Sequence, residues 1–203
     1  MSILLPLFPL DLVLLPGNSL PLHIFEPRYR EMISECLERR KPFGVVRAKA
    51  EGIAEVGCTA EILSANKKYG DGRMDIITQG RERFEVVQVD QERAFLRGEV
   101  MYLQDEAGLA TDEEKALAIS LHGEILKLAG ARSVDSSEIQ DQQLSFHLAG
   151  SLPVDLDFKQ TLLETGSEPE RVRALIGFLQ AILPNLRRTV QVRQKAGGNG
   201  RAS

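Results

Sequence analysis

Phe95-Leu96-Arg97-Gly98-Glu99-Val100-Met101-Tyr102-Leu103, followed by Gln104-Asp105-Glu106-Ala107-Gly108-Leu109-Ala110 and Thr111-Asp112-Glu113-Glu114, is the stretch on which the fold class turns. In its first part Phe95, Arg97, Glu99 and Met101 fall on one face, and Leu96, Gly98, Val100 and Tyr102 on the other. That two-residue period is the period of a strand. The middle part is a polar linker containing Gly108. Thr111 and Glu114 then stand at capping-box spacing, where an N-cap hydroxyl and an acid three residues on satisfy each other's exposed amides. Strands lie upstream of this point and helices downstream, the pattern of an α+β chain.

Upstream, Leu4 to Leu10 reads as an extended apolar segment, because residues before Pro6 and Pro9 are pushed out of the helical region. Pro16-Gly17-Asn18 is a turn and Ser19 to Phe25 a second short strand. Pro27 opens a helix whose Tyr29, Met32, Ile33, Cys36 and Leu37 recur at three- and four-residue spacing, one buried stripe. The cations of Glu38-Arg39-Arg40-Lys41 suit its C-terminal end. Further strands are expected at Phe43–Ala48, Gly57–Ala65, Met74–Thr78, Phe84–Val89 and Phe95–Leu103, with Asn66 to Gly72 a polar hairpin tip. Short strands at such spacing indicate an antiparallel barrel or a sandwich rather than a parallel sheet.

Downstream, three capping signatures are expected to start helices: Thr111 with Glu114, Asp135 with Glu138, and Ser167 with Glu170. The first helix is expected to bury Leu117, Leu121, Ile125 and Leu128, and the second carries Ile139, Leu144 and Leu148. Asp155 suits the cap of a short helix over Phe158–Leu163. The last helix carries Val172, Leu175, Ile176, Leu179, Ile182 and Leu183, then meets Pro184, which kinks or ends it. The expected organisation is a barrel subdomain over 1–106, a helical subdomain over 107–195 and a disordered tail over 196–203.

At 203 residues, with 43% hydrophobic and 27% charged residues, the chain is of ordinary globular composition. Its net charge is −4, with 14 basic against 15 acidic residues up to Leu103 and 11 against 14 beyond. Neither half carries the bulk positive field of a nucleic-acid binder. Cys36 and Cys58 form no ligand pair, and two cysteines in a chain of this size suggest reduced thiols in a cytoplasmic protein. Ile3 to Leu15 is apolar, but Pro6, Pro9 and Asp11 interrupt it and no cation precedes it. It reads as neither a signal peptide nor a membrane span.

No phosphate-binding GxxxxGK[ST] loop, GxSxG elbow or HExxH zinc helix occurs. Gly70-Asp71-Gly72 reads as a hairpin turn, and His23, His122 and His147 are scattered and read as structural or surface residues. Glu113 and Glu114 suit a first helical turn. Arg187, Arg188, Arg193, Lys195 and Arg201 read as a cationic helix end and solvated tail. No catalytic, cofactor-binding or metal-binding residue is assigned, and no substrate-binding residue is identified. The expected cofactor set is none.

Leu5-Pro6-Leu7-Phe8-Pro9-Leu10, the Leu14-Leu15-Pro16-Gly17 turn and Leu20-Pro21-Leu22-His23-Ile24-Phe25-Glu26-Pro27-Arg28-Tyr29 resemble the start of the Lon protease N-terminal, substrate-binding domain. Phe43-Gly44-Val45-Val46, Gly57-Cys58-Thr59-Ala60-Glu61-Ile62, Gly80-Arg81-Glu82-Arg83-Phe84 and Asp157-Phe158-Lys159-Gln160-Thr161-Leu162-Leu163-Glu164 follow in the family's order. The resemblance implies a PUA-like antiparallel β-barrel with one inserted helix, followed by a C-terminal helical bundle. In the full protease this region precedes ATPase and Ser-Lys peptidase modules, which have no counterpart in these residues, so a stand-alone, non-enzymatic Lon-domain protein is expected. Pro6, Pro9, Phe8 and Phe25 are expected to be structural, the phenylalanines filling the core.

The expected function is recognition of polypeptide, as unfolded segments or a protein partner, along a strand edge around Asn66–Thr78 or in an apolar groove. One alternative is an RNA-binding PUA-like protein with a patch at Lys67, Lys68 and Arg73. Another is a hydrolase whose site assembles in space. No membrane partner is expected.

Overall fold

The computed structural model describes residues 3–131 and 141–198. The expected Asp135–Glu138 helix start, Ile139 and residues 199–203 lie outside the described residues, as do the side chains of Lys67, Lys68 and 193–198. The chain divides into two compact units, 1–106 with 153–166, and 107–152 with 167–203.

The first unit holds six strands, β1 (Ile3–Leu10), β2 (Ser19–Ile24), β3 (Phe43–Arg47), β4 (Val56–Lys68), β5 (Met74–Asp90) and β6 (Arg97–Tyr102), with helix α1 (Pro27–Arg39) between β2 and β3. They form one sheet in the order β2-β5-β4-β3-β1-β6, and β5 also pairs with β6. The pairing is not wholly antiparallel as expected: β1 runs parallel to β3, with Leu7 opposite Gly44 and Leu10 opposite Arg47. The intervening β2 and α1 supply a connection long enough for a parallel return. The expected strands Met74–Thr78 and Phe84–Val89 are one continuous β5. Gly80 does not break it. A Cβ there would stand 2.3 Å from the Leu15 carbonyl oxygen, so glycine lets the strand pass the turn, and Gly80 exchanges 2.9 Å backbone bonds with Gly17 and Asn18.

Leu5, Leu7, Val46, Phe84 and Val100 form the buried cluster inside this sheet. Each such side chain contributes about 1.5–3 kcal/mol by leaving water. Helix α1 buries Tyr29, Met32, Ile33 and Cys36, as its spacing predicts. It ends on Arg40, a non-glycine residue at φ 51° whose N–H turns back to the carbonyls of Cys36 and Leu37. Phe8 is 7% exposed and packs 4.1 Å from the Tyr29 ring, but Phe25 is 60% exposed and does not fill the core. It follows the last residue of β2, where the chain turns into α1 and leaves the sheet.

The short helix α4 (Leu156–Glu164), expected with the helical half, belongs to this first unit. Asp155 caps it by accepting from the amides of Asp157 and Phe158. Its side chains and carbonyls meet the groups that strands leave unbonded: Gln160 Nε2 donates to the Val56 carbonyl at 3.0 Å, and Asp157 pairs with Arg47 at 2.5 Å. Polar bonding to β3 and β4, which hydrophobic spacing does not register, joins the burial of Leu162 and Leu163 in holding it there.

The second unit holds α2 (Asp112–Leu128), a 3-10 turn (Asp141–Gln143), α3 (Leu144–Gly150) and α5 (Glu168–Gly198). Thr111 and Glu114 form the capping box, with bonds of 2.9 and 3.2 Å. Helix α2 buries Ala118, His122, Ile125 and Leu126, while Leu117 is 42% exposed, so its inner face is rotated from the expected one. The rotation brings the small Ala118 inward and gives His122 a bond to Ser151. Helix α5 runs through Pro184 to Gly198 instead of ending, and so takes in residues 196–198 of the expected tail. The buried row Val172, Leu175, Leu179 and Leu183 leads up to that proline, whose own ring is exposed.

Candidate functional site

The residues 3–6 of β1 differ from residues 7–10 in their neighbours. Ile3 to Pro6 pair with β6, and Leu7 to Leu10 pair with β3 on the opposite side. Among the described residues, the first four residues of β1 therefore have a strand partner on one side only. Leu5 points into the core, while Ile3 and Leu4 remain 45% and 52% exposed. An apolar strand with an open edge is a template for a further extended chain.

A groove of about 370 Å³ lies against this segment. Its walls are Ile3 to Pro6, the α1 end with Cys36, the Lys41-Pro42 link into β3, and Phe95 and Tyr102 around β6. Four cations stand at it, Arg39, Lys41, Arg93 and Arg97, against a single lining acid, Glu35. Arg93 is neutralised, donating to Glu31 at 2.5 Å and to Glu35, and those bonds hold its guanidinium above its usual range. It also lies 4.9 Å from the Phe95 ring centre. Arg97 pairs with Asp90 at 2.5 Å and has Glu92 at 3.7 Å, while its buried Nε–H meets no acceptor among the described residues. Arg39 and Lys41 are exposed and make no ion pair among the described residues. Burial pushes the Cys36 thiol up to about 11 and the Cys58 thiol to about 12, which keeps both protonated near neutrality.

The expected edge at Asn66–Thr78 is differently built. Met74 to Thr78 of β5 is flanked by β2 on one side and β4 on the other, so it offers no free backbone, whereas β4 from Glu61 to Lys68 pairs with β5 alone among the described residues. The outermost strand there is β2, whose Pro21 suits an edge. At that end His23 Nδ1 lies 2.6 Å from Asp75, and Tyr69 donates to the same carboxylate at 3.0 Å. Arg73 is bonded to Asp71 and stacks over Tyr69. Gly72, at φ +86°, turns the hairpin, as Gly70-Asp71-Gly72 predicts.

Most other polar residues singled out from the sequence are taken up locally, the buried His147 Nε2 excepted among the described residues. His122 and His147 lie in the second unit, Glu114 caps α2 and bonds Arg173, and Arg187 pairs with Glu124 at 2.6 Å. Glu26 and Arg28 pair with each other at 2.9 Å. Among the described residues no group of three or more His, Cys, Asp or Glu stands together for a metal, and no helix is long and apolar enough to cross a membrane. The groove residues Arg39, Lys41, Phe95 and Tyr102 were not marked by any motif. The signal available was β1 itself, where Ile3-Leu4-Leu5 is apolar on both faces of a strand that needs only one buried.

Comparison with known proteins covers most of the chain. A Lon protease of Anaeromyxobacter dehalogenans is 28% identical over 192 residues, and Lon protease 2 of Myxococcus xanthus 29% over 192. Each alignment covers 86% of this chain and 23% of the relative, so the chain spans about a quarter of the length of these curated relatives. The crystal structure of a Lon N-terminal domain protein from Xanthomonas campestris superposes with a TM-score of 0.71 at 26% identity, covering 86% of this chain and 98% of that one. The N-terminal domain of a Mycobacterium avium complex Lon protease shares the fold, with a TM-score of 0.63 at 22% identity, covering 88% and 98%. The profile of the ATP-dependent protease La (LON) substrate-binding domain matches residues 4–181, from the open edge of β1 into α5, and the chain belongs to that family.

Proposed function

We propose that this chain is a non-catalytic recognition module for polypeptide, holding an extended segment along Ile3–Pro6 with its apolar side chains in the adjoining groove. The observation that carries the reading is the open, doubly apolar edge of β1 beside that groove. Main-chain bonds to an edge give affinity without regard to sequence, and a neighbouring apolar pocket adds preference for bulky side chains. A ring of pairings β5-β4-β3-β1-β6, returning to β5, supports the PUA-like barrel as the scaffold that stiffens this edge. Family membership in a substrate-binding domain and the raised thiols of Cys36 and Cys58 favour binding over nucleophilic chemistry. Rigid presentation of the edge lowers the ordering cost of binding.

The test is fluorescence anisotropy of labelled, unstructured apolar peptides against the whole chain and its Leu4→Asp variant. Leu4 is half exposed, so the substitution leaves the core intact. Saturable binding that weakens about tenfold or more in the variant supports the reading. Failure of every peptide to saturate, or equal binding by the variant, overturns it.

A further inference from the structure

The groove's charges are unevenly compensated, and this decides what fits it. Arg93 and Arg97 already hold Glu31, Glu35, Asp90 and Glu92. Arg39 and Lys41 line the same groove with no carboxylate bonded to either among the described residues. Their place at the C-terminal end of α1 suits their positive charge, but the helix end is itself satisfied by the Arg40 and Lys41 amides, which donate to the carbonyls of Cys36 and Leu37. The Nε–H of Arg97 adds a donor in the wall with no acceptor among the described residues. The floor between these groups is apolar: Ile3, Leu4, Phe95 and Tyr102.

Resting on the polypeptide-recognition reading, we propose that the groove selects internal polypeptide segments in which a bulky apolar residue is directly followed or preceded by aspartate or glutamate. The apolar side chain occupies the floor between β1 and α1, and the acidic one reaches Arg39 and Lys41 at the rim. A carboxylate brought there meets two cations that need not abandon an existing partner, so the pairing is not offset by breaking another. A lysine or arginine in its place meets like charge, and such juxtaposition disfavours wrong partners more than complementary charge favours right ones. The preference is for specificity and association rate, and it is screened by salt because the rim is open to water.

The probes are end-blocked, labelled peptides carrying a Leu-Phe pair beside two aspartates, two asparagines or two lysines, and a fourth with the Leu-Phe pair at a free C-terminus. Binding is read by anisotropy at low and high salt, with circular dichroism on every variant. The expected order is aspartate, asparagine, lysine, with about tenfold between the first and the last and a smaller spread at high salt. In the Arg39→Ala, Lys41→Ala variant the aspartate and asparagine peptides bind alike, and in Arg39→Glu, Lys41→Glu the order reverses. Both residues are exposed, so the substitutions leave the core intact, and circular dichroism checks that α1 keeps its last turn. Equal binding of all blocked peptides, with Leu4→Asp still abolishing it, overturns the acidic preference while leaving polypeptide recognition standing. Preference for the free C-terminus overturns the internal-segment class. Absence of binding by all four overturns both readings together.

Discussion

Arg83 of β5 donates its guanidinium to the carbonyl of Leu163 at 2.8 Å, at the far end of the short helix α4. A second nitrogen pairs with Asp105 at 2.5 Å, and the side chain is only 4% exposed. One arginine thus fixes two chain segments that are distant in sequence against the same strand.

Replacing Arg83 with leucine keeps the buried methylenes and removes those donors. The Leu163 carbonyl is then left without its partner, while Asp105, 31% exposed, regains water. The cost is therefore that of unmade hydrogen bonds, about 1–3 kcal/mol, not that of a stranded buried charge. Urea unfolding gives the magnitude, and amide exchange shows its place: protection over 156–164 falls before that of β4. Undiminished protection of α4 in the variant would contradict the tie.

Gly80 sits where β5 crosses the Leu15 carbonyl, with Cys58 Sγ also 3.2 Å from the position of a Cβ. Gly80→Ala must push backbone against backbone, which yields less readily than a flexible side chain. A loss of about 1–3 kcal/mol is expected, together with a change in Cys58 reactivity, since the methyl stands against its sulfur. An alkylation rate for Cys58 equal to that of the parent chain, at unchanged stability, would mean the turn absorbs the methyl freely.

These positions show what a sequence of this kind reveals and what it withholds. The α1 stripe was legible because Tyr29, Met32, Ile33 and Cys36 obey a local period, and the Gly80-to-Phe84 string was legible as a family signature. The reason for Gly80, and the fusion of two expected strands through it, depend on the Leu15 turn arriving from another part of the chain. The parallel β1–β3 pair was illegible for the same cause. Leu117 was misplaced because α2 offers apolar residues on more than one face, and neighbours choose among them. The groove was hidden most fully, since it exists only where β1 changes partner between Pro6 and Leu7. No motif spells that exchange, although the surplus of apolar residues at Ile3-Leu4-Leu5 hinted at it.

In the second unit Arg171 and Glu168 pair at 2.8 Å, with exposures of 0% and 1%, and Ser145 donates both its amide and its hydroxyl to the same carboxylate. Arg171 also lies 4.2 Å over the Phe146 ring. Burial pushes the Glu168 carboxyl above its usual range even against these donors. Arg171→Leu strands that acid and is expected to cost about 3–5 kcal/mol, whereas the Arg171→Leu, Glu168→Leu pair removes the charge with its partner and recovers part of the loss, the Ser145 amide and hydroxyl now lacking their acceptor. A thermal double-mutant cycle measures the coupling, and simple additivity of the two changes would refute it.

The histidines of the second unit set its response to acid. His122, 4% exposed, lies 2.6 Å from the Ser151 hydroxyl, and the buried His147 Nε2 has no partner among the described residues. Burial lowers both titrations, and His147 lowers that of His122 further by repulsion. The unfolded chain therefore binds protons that the folded one refuses, so stability is full above the unfolded value near pH 6.5 and falls as acid is added below it. Urea midpoints measured from about pH 7.5 to about pH 5.5 should decline, and His147→Leu should flatten the decline by removing the proton acceptor that has no folded-state partner. Glu168 works in the opposite sense, its raised titration favouring the folded chain as pH drops through the carboxylate range, while the lowered carboxyls of Glu114, Asp71 and Asp90 lose stability over the same range. A midpoint that stays level across the histidine range in the parent chain would show that these two rings take up protons without opening the helices around them.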